Sequence, residues 1–222
     1  MFAVLFLAAT AISARAQAIM NSDRFGDYRL GIQLGFNIPS FGEGPYSGTL
    51  GWNLGLTGIY NTEGFIPNSY VRASALYTRK GASASNVYYP ADKPKYRFED
   101  ATFYLHYFEI PVRFGYAYEL LNDDFLVFAE TGPYLAFRLT ASQRFDKSSS
   151  AVDGSDYVAP RSMKDTFRDL RRFDIGWGVH AGVLFMKKYQ ASLGYDWGLC
   201  DAVPGETGRN LNLNLNVAVY FD

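Results

Sequence analysis

From Leu211 onward, apolar and polar residues alternate one by one: Leu211, Leu213, Leu215, Val217, Val219 and Phe221 form one set, and Asn212, Asn214, Asn216, Ala218 and Tyr220 the other. A helix, with a period of about 3.6, cannot put these sets on opposite faces, whereas a strand does so by its geometry. The stretch 28–38 obeys the same rule, with Leu30, Ile32, Leu34, Phe36 and Ile38 opposing Arg29, Gly31, Gln33, Gly35 and Asn37. Six further stretches complete an expected set of eight strands, at 50–61, 70–79, 103–116, 125–139, 173–185 and 189–199. Within them Phe108, Ile110, Val112 and Phe114 oppose Glu109, Pro111 and Arg113. Likewise Ile175, Trp177 and Val179 oppose Asp174, Gly176, Gly178 and His180, and Tyr195 and Trp197 oppose Gly194, Asp196 and Gly198.

At roughly 10 to 15 residues each, these strands exceed those of soluble sheets and match what a tilted strand needs to cross a bilayer. The connections also alternate: 39–49, 80–102, 140–172 and 200–210 read as long, and 62–69, 117–124 and 186–188 as shorter. External loops and periplasmic turns of a membrane barrel follow that pattern. A soluble barrel would alternate too, so the make-up of the polar face has to decide. That face is Gly, Asn, Ser and Gln with a few charges of both signs, and all seven lysines are assigned to loops or strand ends. Small polar residues suit the filled lumen of an eight-stranded barrel. Rings suit the two girdles that flank a lipid-facing band, with Trp52, Tyr77, Phe108, Phe137, Phe173 and Trp197 towards the loop end and Tyr60, Tyr116, Phe125, Phe185, Tyr189 and Phe221 towards the turn end. The expected fold is all-β, an eight-stranded antiparallel up-and-down transmembrane β-barrel of the bacterial outer membrane. Its long loops would be extracellular and its termini periplasmic.

Composition narrows the partners. The 222 residues fit one domain, and a formal charge of −1 with a pI near 6.1 lacks the basic surplus that nucleic-acid binding needs. A mean hydropathy of −0.11 argues against a bundle of membrane helices but permits a barrel, half of whose strand residues face inward. Residues 2–12 form a short apolar or small-residue run followed by Ala14-Arg15-Ala16, which predicts a signal peptide over 1–18, cleaved near Ala16, with the barrel domain over 19–222. The single cysteine, Cys200, allows no internal disulfide and lies far from the processing site.

Several segments resemble a known family. "YFEIPVRFGY" at 107–116, "YTRKGAS" at 77–83 and "RFDIGWGVHAGVLF" at 172–185 are similar to PorT-like outer-membrane β-barrels of Bacteroidetes, and the closing "LNLNLNVAVYFD" is similar in style to that family's last strand. The resemblance implies an outer-membrane barrel and, for the family's namesake, a part in protein secretion. Such barrels commonly end on an aromatic residue read by the assembly machinery; here Asp222 follows Phe221, and Phe221 is expected to serve.

Candidate chemistry is sparse. Gly176, Gly178 and Gly182 sit inside a strand, where they make room in a narrow lumen and open no phosphate-binding helix. His106 and His180 are the only histidines; His180 shares its face with Asp174 and could meet Asp196, with Ser192 further down the same face. Asp153 and Asp156 do not match a calcium-loop pattern. The loop 140–172 carries Ser148, Ser149 and Ser150 and a basic cluster of Arg168, Arg171 and Arg172, which could meet lipopolysaccharide phosphates.

Charged residues assigned inward are Arg72, Glu109, Arg113, Glu130, Asp174 and Asp196, with His180 among them; buried singly they would be costly, so they should pair across the lumen. Arg113 is expected to bridge Glu109 and Glu130. No catalytic, cofactor or metal site is predicted. The expected function is a non-enzymatic structural, secretion-associated or surface-interaction component. The expected partners are outer-membrane lipid and lipopolysaccharide, the barrel assembly machinery during insertion and envelope or secretion-system proteins. Two alternatives stand beside it: a barrel enzyme acting on envelope lipid, and a narrow small-solute channel.

Overall fold

Alternation becomes a closed wall. The structure, a computed structural model, describes residues 28–40, 46–62, 66–89, 96–119, 125–145, 149–151, 162–164, 172–201 and 209–221. The leader expected over 1–18, together with Asp153, Asp156, Arg168 and Arg171, lies outside the described residues. The strands are β1 (Tyr28–Ser40), β2 (Tyr46–Asn61), β3 (Ser69–Tyr89), β4 (Tyr96–Glu119), β5 (Phe125–Phe145), β6 (Ser149–Ala151), β7 (Ser162–Lys164), β8 (Phe173–Phe185), β9 (Tyr189–Asp201) and β10 (Arg209–Phe221). Each long strand pairs antiparallel with the next long one. β5 meets β8 directly, and β10 returns to β1 in unbroken register from Leu30 opposite Phe221 to Ser40 opposite Leu211. The result is an eight-stranded antiparallel barrel whose backbone donors and acceptors are satisfied between strands, as the interior of a bilayer demands.

The faces are inverted relative to a water-soluble barrel. On β1, Leu34 is 47% and Phe36 51% exposed, while the intervening Gln33 is 3% exposed. On β10, Leu215 is 54% exposed and its neighbours Asn214 and Asn216 are both 4% exposed. Continued around all eight strands, this makes an outer apolar belt far larger than the few hundred Å² that monomeric soluble proteins tolerate. Lipid is the medium that covers such a belt.

Strand ends differ from the sequence expectation at the loop end of the barrel. β3 runs to Tyr89 and β4 starts at Tyr96, so most of the connection expected over 80–102 is paired strand. β5 continues to Phe145, and β6 and β7 add short pairings to β4 and β5. With 21, 24 and 21 residues, β3, β4 and β5 outrun the 13-residue strands β1, β8, β9 and β10, so a sheet projects from one side of the rim. The opposite rim carries the tight β8–β9 hairpin, closed by Lys188 N–H donating to the Phe185 carbonyl at 3.0 Å. Met186 and Lys187 take φ of 51° and 53° there, the left-handed pair that a two-residue hairpin requires.

Candidate functional site

Parity delivers the polar residues of the strands to the lumen, and register decides which of them meet. Arg72, Glu109, Arg113, Glu130, Asp174, His180 and Asp196 are all buried there, none more than 5% exposed. They form three networks stacked along the barrel axis.

Nearest the turn end, Arg72 forms an ion pair with Glu130; its Nε donates to Glu130 Oε2 at 3.0 Å and its Nη1 to Gln33 Oε1 at 2.8 Å. The Tyr70 hydroxyl donates to the same Glu130 oxygen at 3.1 Å. A chain of amides continues sideways, from Gln33 to Asn53 at 3.4 Å and from Asn53 to Asn216 at 2.9 Å. At mid-height Arg113 pairs with Asp196, Nη2 to Oδ1, at 2.5 Å, and donates through Nη1 to the Gly132 carbonyl at 2.5 Å. His180 Nε2 lies 3.0 Å from Asp196 Oδ1, and Asn214 donates to Oδ2 at 2.7 Å. Towards the loop end Lys80 Nζ is 3.2 Å from Glu109 Oε2 and about 5 Å from the ring centroids of Tyr107 and Tyr134. Asp174 accepts from the Tyr134 hydroxyl at 3.1 Å and from Asn210 at 2.8 Å.

Two sequence expectations are corrected by these contacts. Arg113 does not bridge Glu109 and Glu130. Although Arg113 and Arg72 face each other in register, Glu130 is taken by Arg72 and Glu109 by Lys80, which leaves Arg113 to reach across to Asp196 on β9. Lys80, read as a loop residue, is 1% exposed inside the barrel. Its signal was present: it continues the inward series Arg72, Ser74, Leu76 and Thr78, and the strand does not stop at Arg79.

Glycines make the space for these groups. A Cβ built on Gly178 would come within 1.7 Å of Asp196 Oδ1, and one on Gly194 within 2.2 Å of the His180 ring. The lumen is packed to that tolerance, and the gap left between Arg72, Glu109, Arg113, His180, Asp196 and their neighbours is about 10 Å³, room for roughly one water.

The lumen assembles no hydrolytic triad among the described residues. Asp196 does orient His180, but Asp196 is shared with Arg113, and neither His180 Nδ1 nor Ser192 Oγ has a hydrogen-bond partner. His106 lies on the outer wall, where its Nδ1 shares a 2.6 Å hydrogen bond with the Tyr77 hydroxyl. No three His, Cys, Asp or Glu side chains among the described residues converge as metal ligands. Arg172 is exposed at the base of the β5–β8 connection, its carbonyl accepting from Arg138 N–H at 2.7 Å.

Residues 15–203 match the family model described as outer membrane protein beta-barrel domain. Among solved structures, neisserial surface protein A (NspA) is similar over 87% of this chain and 97% of its own, at 17% identity and a TM-score of 0.45. Ail, the attachment invasion locus protein of Yersinia pestis, solved in complex with the heparin analogue sucrose octasulfate, is similar over 88% and 99%, at 16% identity and a TM-score of 0.42. The outer membrane protein OprG from Pseudomonas aeruginosa is similar over 88% and 96%, at 9% identity and a TM-score of 0.40. No curated protein matches the chain.

Proposed function

The chain belongs to the family of outer membrane protein β-barrel domains, and as an integral barrel of the bacterial outer membrane it serves, we propose, as a non-enzymatic structural, secretion-associated or surface-interaction component with a plugged lumen. The observation that carries this reading is the charge balance inside the wall. Among the described residues the buried charged side chains are four cations, Arg72, Lys80, Arg113 and Arg138, and four carboxylates, Glu109, Glu130, Asp174 and Asp196. Desolvating a charge costs several kcal/mol unless a partner and further hydrogen bonds offset it, and three of the cations are tied to carboxylates within the lumen. A conducting pore needs a continuous file of water, whereas the gap between Arg72, Glu109, Arg113, His180 and Asp196 has room for about one molecule.

Work by the protein on its surroundings then falls to its ends. The sheet projecting from β3, β4 and β5 supports a contact role at the long-loop rim, with that rim extracellular and the termini and three turns periplasmic. The PorT-like style of 107–116 and 172–185 supports the secretion-associated variant, and Phe221 at the end of β10 is the aromatic offered to the assembly machinery. Purified barrel in planar bilayers should give no discrete open steps; clear unitary conductance would overturn the plug. Crosslinking in native membranes followed by capture should recover envelope or secretion components with the barrel, and recovery of the barrel alone would reduce the reading to a structural one.

A further inference from the structure

The hydrogen-bonded ladder of the wall is interrupted at two neighbouring seams. Between β3 and β4 the pairing stops at Ala73–Val112 and resumes at Leu76–Glu109, and between β4 and β5 it stops at Pro111–Tyr134 and resumes at Phe114–Thr131. The other six seams pair without a gap through the middle of the wall. Each interruption contains a proline, Pro111 in the first and Pro133 in the second. Proline has no N–H to give to a ladder and is ordinarily confined to sheet edges and bulges, yet both of these stand in the interior of long strands. In hydrocarbon no water replaces the missing bond.

Two substitutes close the second interruption. Gly132 lies so near the Val112 carbonyl that a Cβ there would be 2.1 Å from its oxygen, so backbone touches backbone where a ladder bond is lacking. From the lumen side Arg113 Nη1 donates to the Gly132 carbonyl at 2.5 Å, with the Pro133 carbonyl at 3.4 Å, while Nη2 holds Asp196 on β9 at 2.5 Å. The guanidinium thus crosses the seam from β4 to β5 and is anchored beyond it.

Directly behind the interruptions lies the gap in the polar lumen. Leu76, Thr78, Glu109, Pro111 and Arg113 contribute to its lining, and Thr78 Oγ1 and Arg113 Nε have no hydrogen-bond partner among the described residues. In front of the first interruption the lipid face carries exposed Ala73 and Ala75, side chains too small to cover the backbone. Along the axis the lumen is filled by buried apolar groups, Leu105, Tyr107 and Tyr134 towards the loop end and Phe128, Leu184 and Tyr220 towards the turn end. The weakest boundary of the gap is therefore its side. We propose that the wall opens at Pro111 and Pro133, joining the polar lumen sideways to the lipid phase, and that Arg113 is the latch that holds it shut. The opening rests on the filled ends of the plugged barrel and is independent of which rim faces outwards.

The test places the barrel in liposomes with an apolar aryl diazirine dissolved in the lipid, or a charged one in the water, and reads by peptide mass spectrometry which residues the photogenerated carbene enters. The lipid-borne probe should mark Leu76 and Thr78 on the lumen face as well as outward residues. Arg113→Met should raise that lumen signal about tenfold, the population shift that losing one charge-assisted hydrogen bond permits. Pro111→Val combined with Pro133→Val, which restores both N–H donors, should lower it, and this comparison stands even if Arg113→Met does not insert. Asp174→Asn, which disturbs the lumen towards the loop end, should leave it unchanged. Ser192, buried in the lumen behind the unbroken β8–β9 seam, should stay unmarked throughout. Marking of outward residues alone in every variant would overturn the opening, and so would equal marking of Ser192 and Thr78. Marking of Leu76 and Thr78 by the water-borne probe alone would overturn the plugged ends and the opening with them.

Discussion

Arg113→Met removes a guanidinium that is 2% exposed and that holds both Asp196 and the Gly132 carbonyl at 2.5 Å. Methionine fills much of the same volume, so the cavity contribution is small and the loss is electrostatic. Asp196 keeps its bond from Asn214 at 2.7 Å and its contact with His180 at 3.0 Å, but no permanent cation. Breaking one side of a buried pair costs about 3–5 kcal/mol, and two features place this case near 3: Asp196 keeps these two neighbours, and the adjacent gap admits about one water. The assay is urea unfolding from liposomes lacking lipopolysaccharide, followed by tryptophan fluorescence and by heat-modifiable migration on gels. Arg144→Met, at an exposed site, should stay within about 0.5 kcal/mol of the parent. Adding Asp196→Asn to Arg113→Met should cost at least about 1 kcal/mol less than the sum of the two single changes, because the stranded carboxylate is gone. Equal effects of Arg113→Met and Arg144→Met, or strict additivity in the double variant, would refute the pairing.

Gly194→Ala and Gly178→Ala drive a methyl into His180 and Asp196, and each should cost about 1–3 kcal/mol in the same unfolding assay; Gly58→Ala, whose nearest neighbour would be Leu30 Cδ2 at 3.1 Å, should cost less, and a reversed order would contradict the packing. Lys80→Met should destabilise by stranding Glu109, and Glu109→Gln added to it should recover part of the loss; no recovery would mean that the 3.2 Å pair is not the partner that matters. Replacing Met186-Lys187 by Asn-Gly should stabilise by about 1 kcal/mol, since both positions take positive φ, and a destabilised hairpin on proteolysis would count against that turn geometry. Cysteines at Ser85 and Ser149 should label in intact cells and one at Asn122 should not; the opposite pattern would invert the topology.

Period-two alternation is a local property of a strand, so which residues face in and which face out was legible from the residues themselves. Leu30 to Ile38 and Leu211 to Phe221 lie as their pattern requires, and a polar face of Asn, Gly and Gln, poor in lysine, pointed to a lumen. Parity also carried Arg72, Glu109, Arg113 and Glu130 to the interior, but it says nothing of height around a closed wall. Arg113 finds Asp196 on β9 because the registers of β4, β5, β8 and β9, taken in sequence, bring those two to one level, and each register belongs to a pair of strands and not to either sequence alone. Lys80 looked like a strand end because an Arg-Lys-Gly run ordinarily begins a loop; pairing with β4 carried the strand on to Tyr89 and drew the ammonium inside to Glu109. Arg144 shows the limit most sharply. Its direction depends on a single extra residue at Leu139, which no alternation rule reveals, because a bulge is a mismatch between two strands and a property of neither one alone.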